Sequence, residues 1–166
     1  DYYLSLPRPV LLHAVASRSV ASGMGDLTYG FISFAASGVF TWDGLLRFVL
    51  AILLAAVVFV SFLMIVQSLA FWLGSTSYFS GIALNAILTF AIFPISLFDS
   101  GARVILFTLI PAALMGALPA SLVRSFGWDI LAQMALGAGL FLATAVGVFY
   151  SGLRRYESGS AIQIEI

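Results

Sequence analysis

Enzymatic chemistry needs a nucleophile, a base, a metal ligand or a phosphate cradle, and this chain carries few of any. Its 166 residues hold one histidine, His13, no cysteine, and seven Asp or Glu, none of them deep inside an apolar run. His13 alone makes no metal site, so an interfacial or packing role fits it better. Neither a G-x-S-x-G elbow nor a Walker phosphate loop occurs. Gly23-Met24-Gly25 lacks the third glycine and the preceding strand of a dinucleotide fingerprint. No catalytic, cofactor-binding or metal-ligating residue is therefore assigned. Polar side chains do interrupt the apolar runs: Gln67 with Ser68, Asn85 with Thr89, and Gln133 with Thr144. Such groups bond helices together or line a path for a polar solute, and Gln67, Asn85 and Gln133 are the candidates.

The elements that carry them follow from composition. Seven arginines balance seven acids, and 62% of the chain is apolar, against roughly 45–50% in a soluble domain. That balance excludes an ordinary water-soluble globule, a disordered chain, a basic nucleic-acid binder and a disulfide scaffold. Between Arg47 and Asp99 lie 51 residues without a charge. One helix of that length would reach roughly 75 Å, more than twice a hydrocarbon core of roughly 30 Å. The stretch must turn within itself, and Gly74-Ser75-Thr76-Ser77-Tyr78 supplies the turn residues.

The chain thus reads as an all-α polytopic membrane bundle with four transmembrane helices and one re-entrant helical hairpin. The spans are expected at residues 26–42, 48–73, 79–98 and 130–150, within a transmembrane domain of residues 26–150. Asp26 is expected to cap the first span, Asp43 and Gly44 to close it, and Pro94 to bend the third. Trp42, Trp72 and Trp128 fall at span ends, where an amphipathic indole is favoured. Residues 103–124 are uncharged between their terminal arginines but broken by Pro111, Gly116 and Pro119. A straight lipid-facing helix there would leave carbonyls unpaired, so Pro111 and Pro119 are read as the breakers of a re-entrant piece. A kinked fifth span is the alternative, and it would place the chain ends on opposite sides.

Residues 1–25 differ in kind. Pro7-Arg8-Pro9 sets an extended lead-in to a short surface helix that includes His13 and Arg18, without the apolar core of a signal peptide. The chain opens on Asp1 rather than Met, which suggests part of a longer protein. Residues 151–166 form a tail beginning near Arg154-Arg155. That pair, with Arg8 and Arg18, faces Arg47, Arg103 and Arg124 across the bilayer, which favours cytoplasmic ends. Ala135, Gly139, Ala143 and Gly147 recur at four-residue steps and make a small helix face suited to close packing, within the chain or across a dimer. No internal repeat of the secondary-carrier kind is seen.

Several strings, in order, resemble a branch of small bacterial ABC-2 type permeases. They are Arg8-Pro9, Gly25-Asp26-Leu27, Ser68-Leu69-Ala70-Phe71-Trp72, Phe93-Pro94-Ile95-Ser96, Ile110-Pro111-Ala112, Leu118-Pro119-Ala120 and Gly152-Leu153-Arg154-Arg155-Tyr156-Glu157-Ser158. Together they extend over nearly the whole chain. Permeases of this kind have six spans, so the resemblance implies the last two thirds of one, lacking the first two spans. It also implies residence in the bacterial cytoplasmic (inner) membrane, a second permease chain in a homo- or heterodimer, and a separate ABC ATPase subunit. ATP and Mg would be held by that ATPase subunit, and none would be bound by this chain. Residues 1–25, with Arg8, Pro9, His13 and Arg18, would be the cytoplasmic coupling segment, and residues 103–124 the re-entrant helices of the outer side. Nucleic acid is not an expected partner. The competing readings are an ATP-independent carrier or channel, and a membrane scaffold that transports nothing.

Overall fold

A computed structural model describes residues 22–38, 40–74 and 77–161. The chain divides into two compact units, Asp1–Phe40 and Thr41–Ile166, each considered by itself. In the first, helix α1 spans Ser22–Ala36, shorter than and displaced from the expected span 26–42. Asp26 is its fifth residue, not its cap, because the small residues from Ser22 join the helix, and the Thr28 hydroxyl donates to the Met24 carbonyl within it. Gly38 stops the helix at φ +77°, a left-handed conformation that glycine adopts without a Cβ penalty.

Trp42, Asp43 and Gly44, expected to close one span, instead open the next. Helix α2 spans Trp42–Ser68 and is followed by the short α3, Ala70–Leu73. Thr41 decides the start: its extended backbone lets the hydroxyl accept from the Gly44 N–H at 3.0 Å. Asp43 in the first turn complements the helix dipole and pairs with Arg47 one turn on. Trp42–Leu73 runs for 32 residues, roughly 48 Å of helix. Gly74, at φ +80°, ends it.

Helix α4 spans Ser77–Ile92. The expected span 79–98 stops short because Pro94 cannot continue a helix, and a 3-10 turn follows at Ile95–Leu97. Asp99 then caps α5, Ser100–Thr108, accepting from the Ala102 N–H at 2.7 Å, while the Arg103 Nε–H donates to the Phe98 carbonyl. After Pro111 come α6, Ala112–Met115, and α7, Ala117–Arg124. Helix α8 spans Trp128–Ala161, so the expected tail after Tyr150 continues the helix. Residues 151–161 hold no proline, and leucine and arginine among them favour it.

The structure is a helix bundle without a strand among the described residues. Two of its helices, Trp42–Leu73 and Trp128–Arg155, are each long and apolar enough to cross a membrane. The stretch Tyr78–Ile92 is apolar but shorter, and Ser100–Thr108 with Ala112–Arg124 forms a pair bent by 69°. Helices α2 and α8 lie side by side and parallel. Ala51 and Met134 share one buried cluster with Leu122, Val58 and Ala138 another with Leu114, and the Phe71 ring meets Phe149 at 5.9 Å, both helices advancing in the same direction. Against their middle sit α4 and the bent pair, where Phe62, Val66, Ile87, Leu106, Ala112 and Ala113 form the largest buried cluster.

Candidate functional site

The described charged side chains of the second unit lie within about two turns of helix ends or in the segments between helices, as the cost of placing them in hydrocarbon requires. At the start of α2, Arg47 pairs with Asp43 and its guanidinium lies 5.5 Å from the centre of the Phe126 ring. Phe126 meets Trp128 edge-on at 5.0 Å. The starts of α2 and α8 are thereby joined by one aromatic and charged cluster. Trp42 and Trp128, 84% and 76% exposed, stand at these two helix starts. Arg154 and Arg155 are exposed on the opposite end of α8, beyond the Phe71 contact.

Gln67, Asn85 and Gln133 are all exposed and do not converge. Gln133 precedes Met134, which shares a buried cluster with Ala51, whereas Gln67 lies sixteen residues beyond Ala51 along α2. At about 1.5 Å per residue, the two differ in level by roughly 24 Å. Among the described residues no hydrogen bond joins any two of the three. Spacing along one helix could not reveal this, because their relative level depends on how α2 and α8 align.

The small face of α8 also falls elsewhere than the contacts within the chain. Ala135, Gly139, Ala143 and Gly147 are exposed, and a Cβ added at Gly139 or Gly147 would meet nothing within 4 Å. The buried face of α8 carries Met134, Ala138, Ala145 and Phe149; Met134 and Ala138 share buried clusters with α2, and Phe149 meets Phe71 of α3. It starts one residue earlier, about 100° around the helix. The glycines that permit close approach are others. A Cβ at Gly137 would reach a Leu114 methyl at 2.7 Å, and one at Gly152 would reach the Phe71 ring at 2.4 Å. These contacts were missed, although Met134, Ala138, Ala145 and Phe149 do recur at helical spacing.

Of the two expected breakers, only Pro111 stands at the bend. It is fully buried, and the Ile110 N–H reaches back to Ile105 as the helix ends. Pro119 is the third residue of α7, in the first turn, where a backbone N–H has no partner within the helix. The second break is at Gly116, where a Cβ would lie 2.1 Å from the Ala91 carbonyl oxygen. The 69° bend falls at Leu109–Pro111, and the helix that follows it opens on the buried Ala112, Ala113 and Leu114.

Beside that bend is a cavity of about 740 Å³ bounded by α2, α4, α5 and α8. Phe62 and Val66 form its buried floor, and Ala86, Phe107 and Phe141 its walls. Among the described residues no group of three His, Cys, Asp or Glu is placed to hold a metal ion. Arg8, Pro9, His13 and Arg18 lie outside the described residues.

A family model described as "ABC-2 family transporter protein" matches residues 1–160. Neither a curated protein nor a solved structure matches the chain.

Proposed function

Since this chain belongs to the ABC-2 transporter family, we propose that it is the membrane-spanning permease subunit of an ATP-binding-cassette exporter. The family match over residues 1–160 carries this reading. ATP is hydrolysed, with Mg, on a separate ATPase subunit, and this chain converts that subunit's closure into movement of the spans. Two permease chains pack together, alike or different, in the bacterial inner membrane. In this reading each crosses at residues 26–42, 48–73, 79–98 and 130–150, of which the second and fourth lie on helices long enough by themselves, while residues 103–124 re-enter from the outer side.

The mechanical part of the reading rests on stiffness. A continuous helix transmits a push along its axis, and α2 and α8 run parallel with contacts from Ala51 to Phe71. Residues 1–25, around Arg8, Pro9, His13 and Arg18, are the contact with the ATPase subunit. Displacement there rocks the spans and opens a path outward.

The direct test is co-purification with the ATPase subunit, followed by its ATP turnover with and without the permease. Retention and a raised turnover are expected. Reversing Arg8 and Arg18 to glutamate is expected to lower both; unchanged association and ATP-coupled export would remove the assigned contact. Export driven by an ion gradient in the absence of ATP would overturn the whole reading.

A further inference from the structure

We infer that the cavity between α2, α4, α5 and α8 is a binding site for one acyl chain of a bilayer lipid. It is bounded by Phe62, Ile65 and Val66 on α2, by Leu69 just after it, and by Gly137 to Thr144 on α8, all inside the segments able to cross a membrane. The cavity therefore lies at hydrocarbon depth. Its rim is open: Phe79 and Ile82 are each 50% exposed, Leu109 70% and Leu140 68%. Its floor, Phe62 and Val66, is buried. An opening of this kind, on helices surrounded by lipid, admits a chain sideways from the bilayer.

The lining chemistry selects the occupant. No charged side chain contributes, and the two hydroxyls, Thr108 and Thr144, have already given their protons to backbone carbonyls, leaving only their oxygens as acceptors. Thr108 donates to the Val104 carbonyl at 2.7 Å and Thr144 to the Leu140 carbonyl at 2.8 Å. A sugar or peptide inserted here would lose its water and find few partners for its own donors, which is unfavourable. An aliphatic chain brings no such demand. The volume falls within the roughly 300–1,000 Å³ of small-molecule sites, and apolar and aromatic walls are the usual lining. This inference asks only that the chain reside in a bilayer, so it stands or falls apart from coupling to ATP.

The test uses the purified full chain in lipid nanodiscs doped with a phospholipid carrying a mid-chain diazirine, with adducts mapped by mass spectrometry after photolysis. Adducts are expected to concentrate on Phe107, Ile110 and Phe141 over Leu50 and Leu53, which are exposed on the wall of α2. Filling the cavity by Ala86→Phe, or independently by Ala83→Phe, is expected to cut the cavity adducts about tenfold. Labelling at Leu53 should stay as it was, which also reports that the variant is folded. Thr144→Val, which removes the hydroxyl but not the shape, is expected to leave the adducts unchanged. Even labelling of all exposed apolar residues would overturn the inference. So would photolysis of a diazirine amino acid at Phe141 that yields links to residues 1–40 or to a second copy in place of lipid.

Discussion

A missing methyl group at Gly116 lets the chain pass 2.1 Å, measured to where a Cβ would stand, from the Ala91 carbonyl oxygen. The obstructing atom belongs to the backbone, so it cannot swing aside. Gly116→Ala is expected to destabilise the protein by about 2 kcal/mol or more, read as a fall in thermal unfolding temperature in detergent. Gly139→Ala, with open space and helical backbone, is expected to be neutral or to stabilise by up to about 1 kcal/mol. Equal losses from both substitutions would contradict the assigned packing. Ser61 makes a second case: it is 1% exposed and its hydroxyl has no hydrogen-bond partner. Ser61→Ala should raise stability by about 1 kcal/mol, since a buried, unpaired hydroxyl is costly. At this scale the sequence was a partial guide. It showed that Ala135, Gly139, Ala143 and Gly147 form one face, because the helical period is local. Which face meets α2 depends on residues far away in the chain, and it proved to be that of Met134 and Ala138.

Among the elements, the piece from Ser100 to Arg124 is the most informative. Pro111 was legible as a break because a ring without an N–H interrupts a helix wherever it falls past the first turn. Pro119 was misread for the same reason: its effect depends on where α7 starts, and that start was set by Gly116. The 69° corner lies between a straight span and a full reversal, and side-specific labelling decides its topology. The chain has no native cysteine, so Arg103→Cys and Arg124→Cys can be introduced singly. Both are expected to react with a membrane-impermeant thiol reagent from the same side of sealed vesicles; reaction from opposite sides would make the piece a fifth span. The start of α2 offers a stability counterpart. Thr41→Ala should cost about 1 kcal/mol through loss of the cap to Gly44, measurable as a lower unfolding temperature.

For the second unit as a whole, the parallel run of α2 and α8 sets the sidedness. Leu73 and Arg154 lie toward one end, past the contact of Phe71 with Gly152, while Phe126 lies at the other beside Arg47. Cysteines placed singly at Leu73 and Arg154 should be labelled from one side and a cysteine at Phe126 from the other. Labelling of Leu73 and Phe126 from the same side would undo the parallel arrangement. By itself the sequence determined that the chain is an all-helical membrane protein, that 51 uncharged residues must fold back near Gly74, and that helices break near Pro94 and Pro111. These follow from composition, helix rise and backbone chemistry, which act over a few residues. Only the tertiary structure decided that Gln67 and Gln133 lie at different levels, that the small face of α8 stays open, and that a cavity forms beside the bent pair. Those depend on which distant residues meet, and no period within one helix encodes the level and rotation at which it packs on another.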